Sequence, residues 1–302
     1  MRGDYLIELN KVYKMDNLEL LNQLPNNYIN LIYCDILYNT GRKFKDYNDN
    51  LGTPQQAIEW YRPRIEGMYR VLKDTGSIYL HMDYRLSAHI RLLLDEIFNG
   101  DNFKSEIIWK KRNGTVKAIT NNFSISNDII LFYTKSSNYT FNIQYQEYTI
   151  EYLKRFKYND NDGKGNYRWQ TMATYSQEKL DKLKSENRIR ISNNAKYPEF
   201  KQYANELKGK PIGNIWEDIN MINSAGNERI NYDTQKPKSL LERIIKSSSN
   251  ENDIVLDLFM GSGTTMVVAK ELGRNFIGCD ISDRAIEISE KRLMEIVELD
   301  VS

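Results

Sequence analysis

Asp253-Ile254-Val255-Leu256-Asp257-Leu258-Phe259-Met260-Gly261-Ser262-Gly263-Thr264-Thr265 is the stretch on which the reading of this chain turns. Residues 253–259 form a nearly continuous apolar run, the pattern of a strand buried on both faces. Gly261-Ser262-Gly263 is a turn, and Met266 to Leu272 continues as a helix. Asn275-Phe276-Ile277-Gly278-Cys279 is a second buried strand, closed by Asp280, and Ser282 to Leu293 or beyond reads as a final helix. Strand, helix and strand in this order form a βαβ unit, which requires a parallel sheet.

The same grammar holds toward the N-terminus. Tyr28 to Cys34 is a short apolar strand ending at Asp35, and the polar Gly41–Thr53 stretch is a loop. Thr53-Pro54 supplies an N-cap and a proline at the first helical position, so a helix runs from there to about Leu72. Gly76 to Met82 is a strand. Leu86, Ile90, Leu93, Leu94 and Ile97 fall at helical spacing, and 106–109 and 128–133 are further strands. Lys238 to Ser248, after Pro237, is another helix.

The 302 residues carry 42 Lys+Arg against 41 Asp+Glu, with 40% hydrophobic and 27% charged residues, an ordinary globular composition. No apolar run reaches the roughly 18 residues of a membrane span, and no apolar leader stands at the start, so a cytoplasmic protein is expected. Two cysteines, Cys34 and Cys279, and two histidines, His81 and His89, exclude a disulfide framework and a zinc site of the usual spacing. The cysteines read as small buried residues. No Gly-x-Ser-x-Gly motif is present to support a serine hydrolase. Near-zero net charge argues against indiscriminate coating of nucleic acid. From Glu151 to Pro211, however, 14 Lys/Arg stand against 8 Asp/Glu, and nine aromatics lie between Tyr152 and Tyr203 without clean periodicity. A basic, aromatic stretch of this kind permits a directed contact with phosphates. It reads as a module inserted at 136–213.

A Gly-x-Gly turn between strand and helix brings a ligand close to backbone N–H groups, and Asp280, 23 residues after Asp257, is placed for ribose hydroxyls. A phosphate-binding loop needs Gly-Lys-Ser/Thr, but Gly263 is followed by Thr264-Thr265. A dinucleotide site needs a third small residue where Met266 stands. S-adenosylmethionine has an adenosine, no phosphates and a cationic end that suits Asp257. A purely structural tight turn uses glycines in the same way; the placement of both aspartates weighs against it.

Asp257-x-Phe259-x-Gly261-Ser262-Gly263-Thr264-Thr265 resembles the Asp-x-Phe-x-Gly-x-Gly-Thr-Thr motif of amino-group DNA methyltransferases. Asp233-Thr234-Gln235-Lys236-Pro237 resembles that family's segment on the methionine side of the cofactor. Cys34-Asp35-Ile36-Leu37-Tyr38-Asn39-Thr40-Gly41 resembles its catalytic Asp-Pro-Pro-Tyr-Asn-Thr-Gly, and residues 76–83 and 127–135 resemble further family blocks. The order, catalytic motif before cofactor motif, is similar to that of the β class. The likeness spans about 5–135 and 214–295. It implies a circularly permuted Rossmann-like α/β methyltransferase fold, mostly parallel with helices on both faces, formed by 1–135 and 214–302. Residues 136–213 would then be a target-recognition module.

The resemblance further implies N6-adenine methylation of duplex DNA, with the base flipped out of the helix. Asp35, Ile36, Leu37 and Tyr38 would form the catalytic loop. Asp35, Thr234, Gln235, Lys236, Pro237, Asp257, Phe259, Gly261, Ser262, Gly263, Thr264, Thr265, Asp280 and Ile281 would hold S-adenosylmethionine, without a metal. Contacts to DNA would come from Lys110, Lys111, Arg112, Lys154, Arg155, Arg168, Trp169, Arg188 and Arg190. The family holds both modification partners of restriction systems and solitary enzymes, so a cognate restriction endonuclease is one expected partner, and a homodimer another. The departure is Ile36-Leu37 in place of two prolines, which keeps the carbonyls but loses the rigid φ that aims them. Asp35 and Tyr38 are retained, which favours an active enzyme. Two alternatives stay open: the same amine chemistry on RNA or a protein amide, and a silent DNA-recognising subunit.

Overall fold

A computed structural model describes residues 7–44, 47–111, 123–191, 196–223, 226, 228–230 and 232–300, the last four without their side chains. The chain divides into two compact units, 1–143 with 213–302, and 144–212.

The larger unit is built on an eight-stranded sheet. Its strands are β1 (Lys11–Lys14), β2 (Ile29–Asp35), β3 (Leu72–Met82), β4 (Phe103–Lys110), β5 (Asn127–Thr134), β6 (Ile215–Trp216), β7 (Ile254–Asp257) and β8 (Asn275–Asp280). Their spatial order is β1-β8-β7-β2-β3-β5-β4-β6. Every pairing is parallel except the two made by β5, which therefore runs against the rest. The helices are α1 (Asn17–Gln23), α2 (Pro54–Val71), α3 (Tyr84–Phe98), α4 (Lys238–Ser248), α5 (Thr264–Glu271) and α6 (Asp283–Asp300).

Successive residues of a strand point to opposite faces, and the packing follows that period. Ile32, Cys34, Ile78, Leu80, Met82, Leu256, Ile277 and Cys279 form one core with Leu20, Ala57, Ile65, Met68, Leu86, Ile90 and Leu94 of α1–α3. Tyr79 points the other way, where its hydroxyl lies 2.7 Å from Ser248 Oγ of α4. Helices α4, α5 and α6 pack in succession on that side. The sheet is thus mostly parallel and covered on both faces, the fold the sequence implies. Cys34 and Cys279 are both buried free thiols.

Local details follow sequence chemistry. Thr53 caps α2 in a complete capping box with Gln56, with Pro54 at the first helical position. Met266, which stands where a dinucleotide fold has a third small residue, is accommodated from the opposite partner. A Cβ on Gly278 of β8 would lie 2.8 Å from Met266 Sδ, so the glycine that permits close packing is on the strand.

Some boundaries move. β7 spans Ile254–Asp257 rather than 253–259, because Phe259 N–H turns back to Asp257 Oδ1 at 3.0 Å. α5 starts at Thr264, before Met266. The 41–53 loop contains a short ladder, Arg42–Lys43 with Asn48–Asp49. The sequence reading assigns residues 136–143 to the inserted module, but they are bonded into the larger unit. Thr140 N–H donates to Thr75 O at 3.1 Å and Asn142 N–H to Ser247 O at 2.7 Å.

In the smaller unit, strands Tyr167–Thr171, Glu199–Tyr203 and Ile189–Arg190 form an antiparallel sheet. Two helices, Ile150–Leu153 and Gln177–Ser185, accompany it.

Candidate active site

Parallel strands end at one edge, and three of them end in acids. Asp35 closes β2, Asp257 closes β7 and Asp280 closes β8. These three strands are neighbours, so their carboxylates meet at the rim of one cavity of about 360 Å³. Ligands of open α/β sheets bind at this edge.

Each acid is held differently. Asp35 Oδ1 accepts from the Tyr38 hydroxyl at 2.8 Å, and Oδ2 is paired with Lys236. Burial and the neighbouring Asp35 charge push the Tyr38 phenol well above its ordinary range, so it remains a neutral donor. Asp280 accepts from Gly261 N–H at 3.0 Å and from Ser282 N–H at 2.9 Å. Asp257 is buried and accepts from Thr265 Oγ1 at 2.6 Å. Burial pushes its carboxyl up to about 7, against the pull of its hydrogen bonds to Thr265 and Phe259.

The loop after β2 keeps its shape without prolines. Ile36 N–H extends the ladder to His81 O at 3.1 Å, and Tyr61 OH donates to Leu37 O at 2.9 Å. Among the described residues the Ile36 carbonyl carries no hydrogen bond. Asn39 takes a left-handed φ of 55°, and buried Asp49 accepts from Asn39 N–H and Thr40 N–H at 2.9 and 3.0 Å. The glycine turn is clamped from α6: Arg292 Nη1 donates to Ser262 O at 2.6 Å and Thr264 Oγ1 at 3.1 Å. Gly263, at φ 71°, leaves no room for a side chain, since a Cβ would lie 2.7 Å from Ser289 Cβ.

Residues 29–291 match the profile of the N6/N4 methyltransferases, a family of DNA methylases. The chain belongs to this family. It is 32% identical over 284 residues to the type II methyltransferase M1.MboII of Moraxella bovis, covering 92% of this chain and 94% of that protein. It is 31% identical over 278 residues to the DNA adenine methyltransferase YhdJ of Escherichia coli strain K12, covering 92% and 80%. The crystal structure of TTHA0409 from Thermus thermophilus, complexed with S-adenosyl-L-methionine, matches with a TM-score of 0.56 at 16% identity. That match covers 94% of this chain and 93% of the other, a likeness of fold. The protein is a DNA amino-methyltransferase and its methyl donor is S-adenosylmethionine.

The cavity of this methylase fits that donor. Among the described residues its wall carries five acids, Asp16, Asp35, Asp49, Asp257 and Asp280, and one cation, Lys236. Such a wall repels phosphates and suits a ligand of net positive charge, with a sulfonium and an ammonium against one carboxylate. Phe259, Trp60 and Tyr232 add aromatic surface. Among the described residues, no group of three or more His, Cys, Asp or Glu side chains is arranged to hold a metal ion. No described helix is long and apolar enough to cross a membrane.

Of the residues expected at the site, Asp35, Ile36, Leu37, Tyr38, Thr234, Lys236, Asp257, Phe259, Gly261, Ser262, Thr264, Thr265, Asp280 and Ile281 line this cavity. Gly263, Gln235 and Pro237 do not. Gln235 braces its own segment, accepting from Ile230 N–H at 3.0 Å and donating to Glu228 O at 2.8 Å, and Pro237 precedes α4. Reading the sequence missed Asp49, Trp60, Tyr61, Tyr232, Ser289 and Arg292. Only the last two left a signal, their i,i+3 spacing on one face of α6.

The expected DNA contacts are mostly engaged with neighbours. Lys110 pairs with Glu217 at 2.7 Å, and Lys111 is turned inward onto buried Asp128. Arg112 lies outside the described residues. Lys154 pairs with Glu151 at 3.1 Å, and Arg155 lies over the Tyr152 ring. Arg168 stacks on Tyr152 and Phe156. Arg188 is fastened to Glu206 and Glu186 with its side chain 11% exposed. Arg190 remains half-exposed, 4.1 Å over the Trp169 ring and paired with Glu199.

Replacing Asp280 by alanine should weaken S-adenosylmethionine binding by about 1.5–3 kcal/mol, since charge-assisted bonds are lost. Unchanged calorimetric affinity in the folded variant would remove Asp280 from the site. Asp257 gives a pH signature with a defined sign. Its folded-state pKa stands above the ordinary carboxylate value, so the ligand-free protein binds this proton more tightly folded than unfolded. Its contribution to stability is full below about pH 4 and is lost as pH rises toward 7. Thermal denaturation of Asp257→Asn across this window should show a flatter pH dependence than the wild type.

Proposed function

We propose that the enzyme methylates the N6 amine of an adenine flipped out of a specific duplex DNA site. The observation that carries this reading is the acid-ended β2 loop, with Asp35, the Ile36 carbonyl and Tyr38 in the same cavity as the glycine turn. An exocyclic adenine amine is a poor nucleophile, because its lone pair is delocalised into the ring. Two acceptors draw it toward tetrahedral geometry: the Asp35 carboxylate, and the Ile36 carbonyl that no described group occupies. Tyr38 stacks on the base. When bound, S-adenosylmethionine supplies an electrophilic methyl group on a sulfonium. Asp35 takes up the proton once the nitrogen has become cationic, so no strong base is required.

The adenine assignment is supported by Asp as the first residue of the catalytic loop and by the likeness to YhdJ. The 144–212 unit is the target-recognition module in this reading, with exposed Arg190 on Trp169 and the cations Lys154, Arg155 and Arg168 nearest to nucleic acid. Lys110 contributes from the end of β4. Arg188 and Lys111 hold structure instead. The likeness to type II methyltransferases supports a cytoplasmic role as the modifying half of a restriction system, with a nuclease of the same specificity as its counterpart.

Sequencing of modified bases in DNA from cells expressing the chain should reveal N6-methyladenine at one recurring sequence. N4-methylcytosine there, or methyl transfer only to RNA or protein, would overturn the proposal. Asp35→Ala should abolish methyl transfer while DNA still binds, since the lost interaction strengthens in the transition state. The prolines of the family motif separate by position. Ile36→Pro removes the N–H bonded to His81 O and should cost about 1 kcal/mol of stability and part of the rate. Leu37→Pro breaks no hydrogen bond of the described structure and should be tolerated. Equal losses in denaturation and turnover assays would contradict this account of the loop.

A further inference from the structure

Behind the catalytic loop lies a polar cluster that the proposed chemistry does not use. His81, near the end of β3, is fully buried. Its Nδ1 is 2.9 Å from the Tyr33 hydroxyl and 3.8 Å from Asp35 Oδ1. Its Nε2 is 3.3 Å from Asp128 Oδ2, close enough for an ion pair though not aligned as a hydrogen bond. The ring lies edge-on to Trp109, with centroids 5.6 Å apart, and 6.3 Å from the Tyr38 ring. Asp128 is itself buried and paired with Lys111. Tyr33 and Asp35 therefore face His81 from β2, Tyr38 from the following loop, Asp128 from β5, and Trp109 with Lys111 from the β4 end. Asp83 stands two residues beyond it.

A histidine used only as core filler would have its two nitrogens satisfied by backbone or left against apolar groups. Here one nitrogen meets a buried carboxylate and the other a phenol and the proposed catalytic carboxylate. We propose that His81 is a positioning residue: fixed between Asp128 and the Tyr33 hydroxyl, its ring backs the Asp35 carboxylate and the Tyr38 ring and so holds both in register for the substrate amine. This inference rests on the role assigned to Asp35 above. Burial alone would raise Asp128, but its contacts with His81 and Lys111 prevail and hold its carboxyl down at about 2. An anion at that place keeps a proton on Nε2. Tyr33, pushed well above its ordinary range by burial, keeps its own proton and donates to Nδ1. The same contacts explain why Lys111 turns inward.

The chain has only two histidines, so ¹⁵N-imidazole spectra of the full-length protein are simple, and His89→Gln assigns them. The Nε2-protonated ring is expected, and Asp35→Asn should displace the His81 ring ¹⁵N signals from their wild-type positions. A His81 signal identical in wild type and Asp35→Asn from about pH 5 to 9, or a ring protonated only at Nδ1, would overturn the inference. This arm needs no turnover, so it decides the coupling even if the methylated base proves not to be adenine. The second arm compares turnover on cognate DNA. Glutamine can bond both Tyr33 and Asp128, whereas phenylalanine only fills the space against Trp109. Expected kcat falls about tenfold in His81→Gln and about a hundredfold in His81→Phe, with KM for S-adenosylmethionine within about twofold. Calorimetric cofactor binding certifies that each variant is folded. A phenylalanine variant as active as the glutamine variant would make His81 a packing residue and overturn the inference.

Discussion

Crowding of three carboxyl groups at neighbouring strand ends, one of them buried, is the constraint around which this molecule is organised. Parallel pairing of β8, β7 and β2 brings Asp280, Asp257 and Asp35 to one edge, where burial raises the cost of charging Asp257 and the charges of Asp35 and Asp280 add to it. The three are relieved by different means: backbone N–H groups for Asp280, a cation and a phenol for Asp35, and retention of the proton for Asp257. The edge so formed is acidic in sum. A ligand bearing positive charge relieves it, and a phosphate ligand aggravates it. Selection for a sulfonium donor is in this sense a property of the sheet topology, set before any side chain touches the ligand.

Backbone shape at the edge is set by side chains arriving from elsewhere. The glycine turn is gripped by Arg292 and approached closely by Ser289, both on α6, which is the last helix in the chain. The β2 loop is gripped by Asp49 and Tyr61, from the following ladder and from α2. Tyr61 performs part of what two prolines do in the family motif: it fixes the Leu37 carbonyl by an external bond instead of an internal ring. Rigidity supplied this way depends on α2 remaining packed, which ties loop geometry to the core that Ile65 and Met68 form.

The fold and the cavity floor were legible in the sequence because they rest on local pattern. Apolar runs ending in Asp35 and Asp280, the Gly261-Ser262-Gly263 turn downstream of Asp257, and the Thr53-Pro54 cap are signals of short range. The supports were not legible because they are contacts between residues far apart, such as Arg292 with Ser262 or Tyr61 with Leu37. Charge was legible only in sum. The excess of Lys and Arg in the 151–211 stretch suggested free cations, but Arg188 and Arg190 each stand beside a glutamate across the sheet or at its end. Lys111, in a run of three basic residues, read as a contact to DNA phosphate and is instead the counter-charge of a buried acid. Composition cannot distinguish a cation aimed at a ligand from one aimed at its own fold.

The one reversed strand gives this last point its structural logic. A parallel strand delivers its final residues to the functional edge, and β2, β3, β7 and β8 do so with Asp35, His81, Asp257 and Asp280. β5 runs the other way, so it delivers its first residues, and the second of these is Asp128. The register pairs His81 with Ile130 and Trp109 with Asp128, which sets the acid beside the imidazole and beneath the indole. A parallel β5 would carry Asp128 to the opposite edge of the sheet and leave His81 Nε2 without a charged partner. Reversal of this strand therefore places a negative charge at one ring nitrogen of His81 while Asp35 lies near the other. Lys111 must follow it inward, because a lone buried anion in that position would be costly.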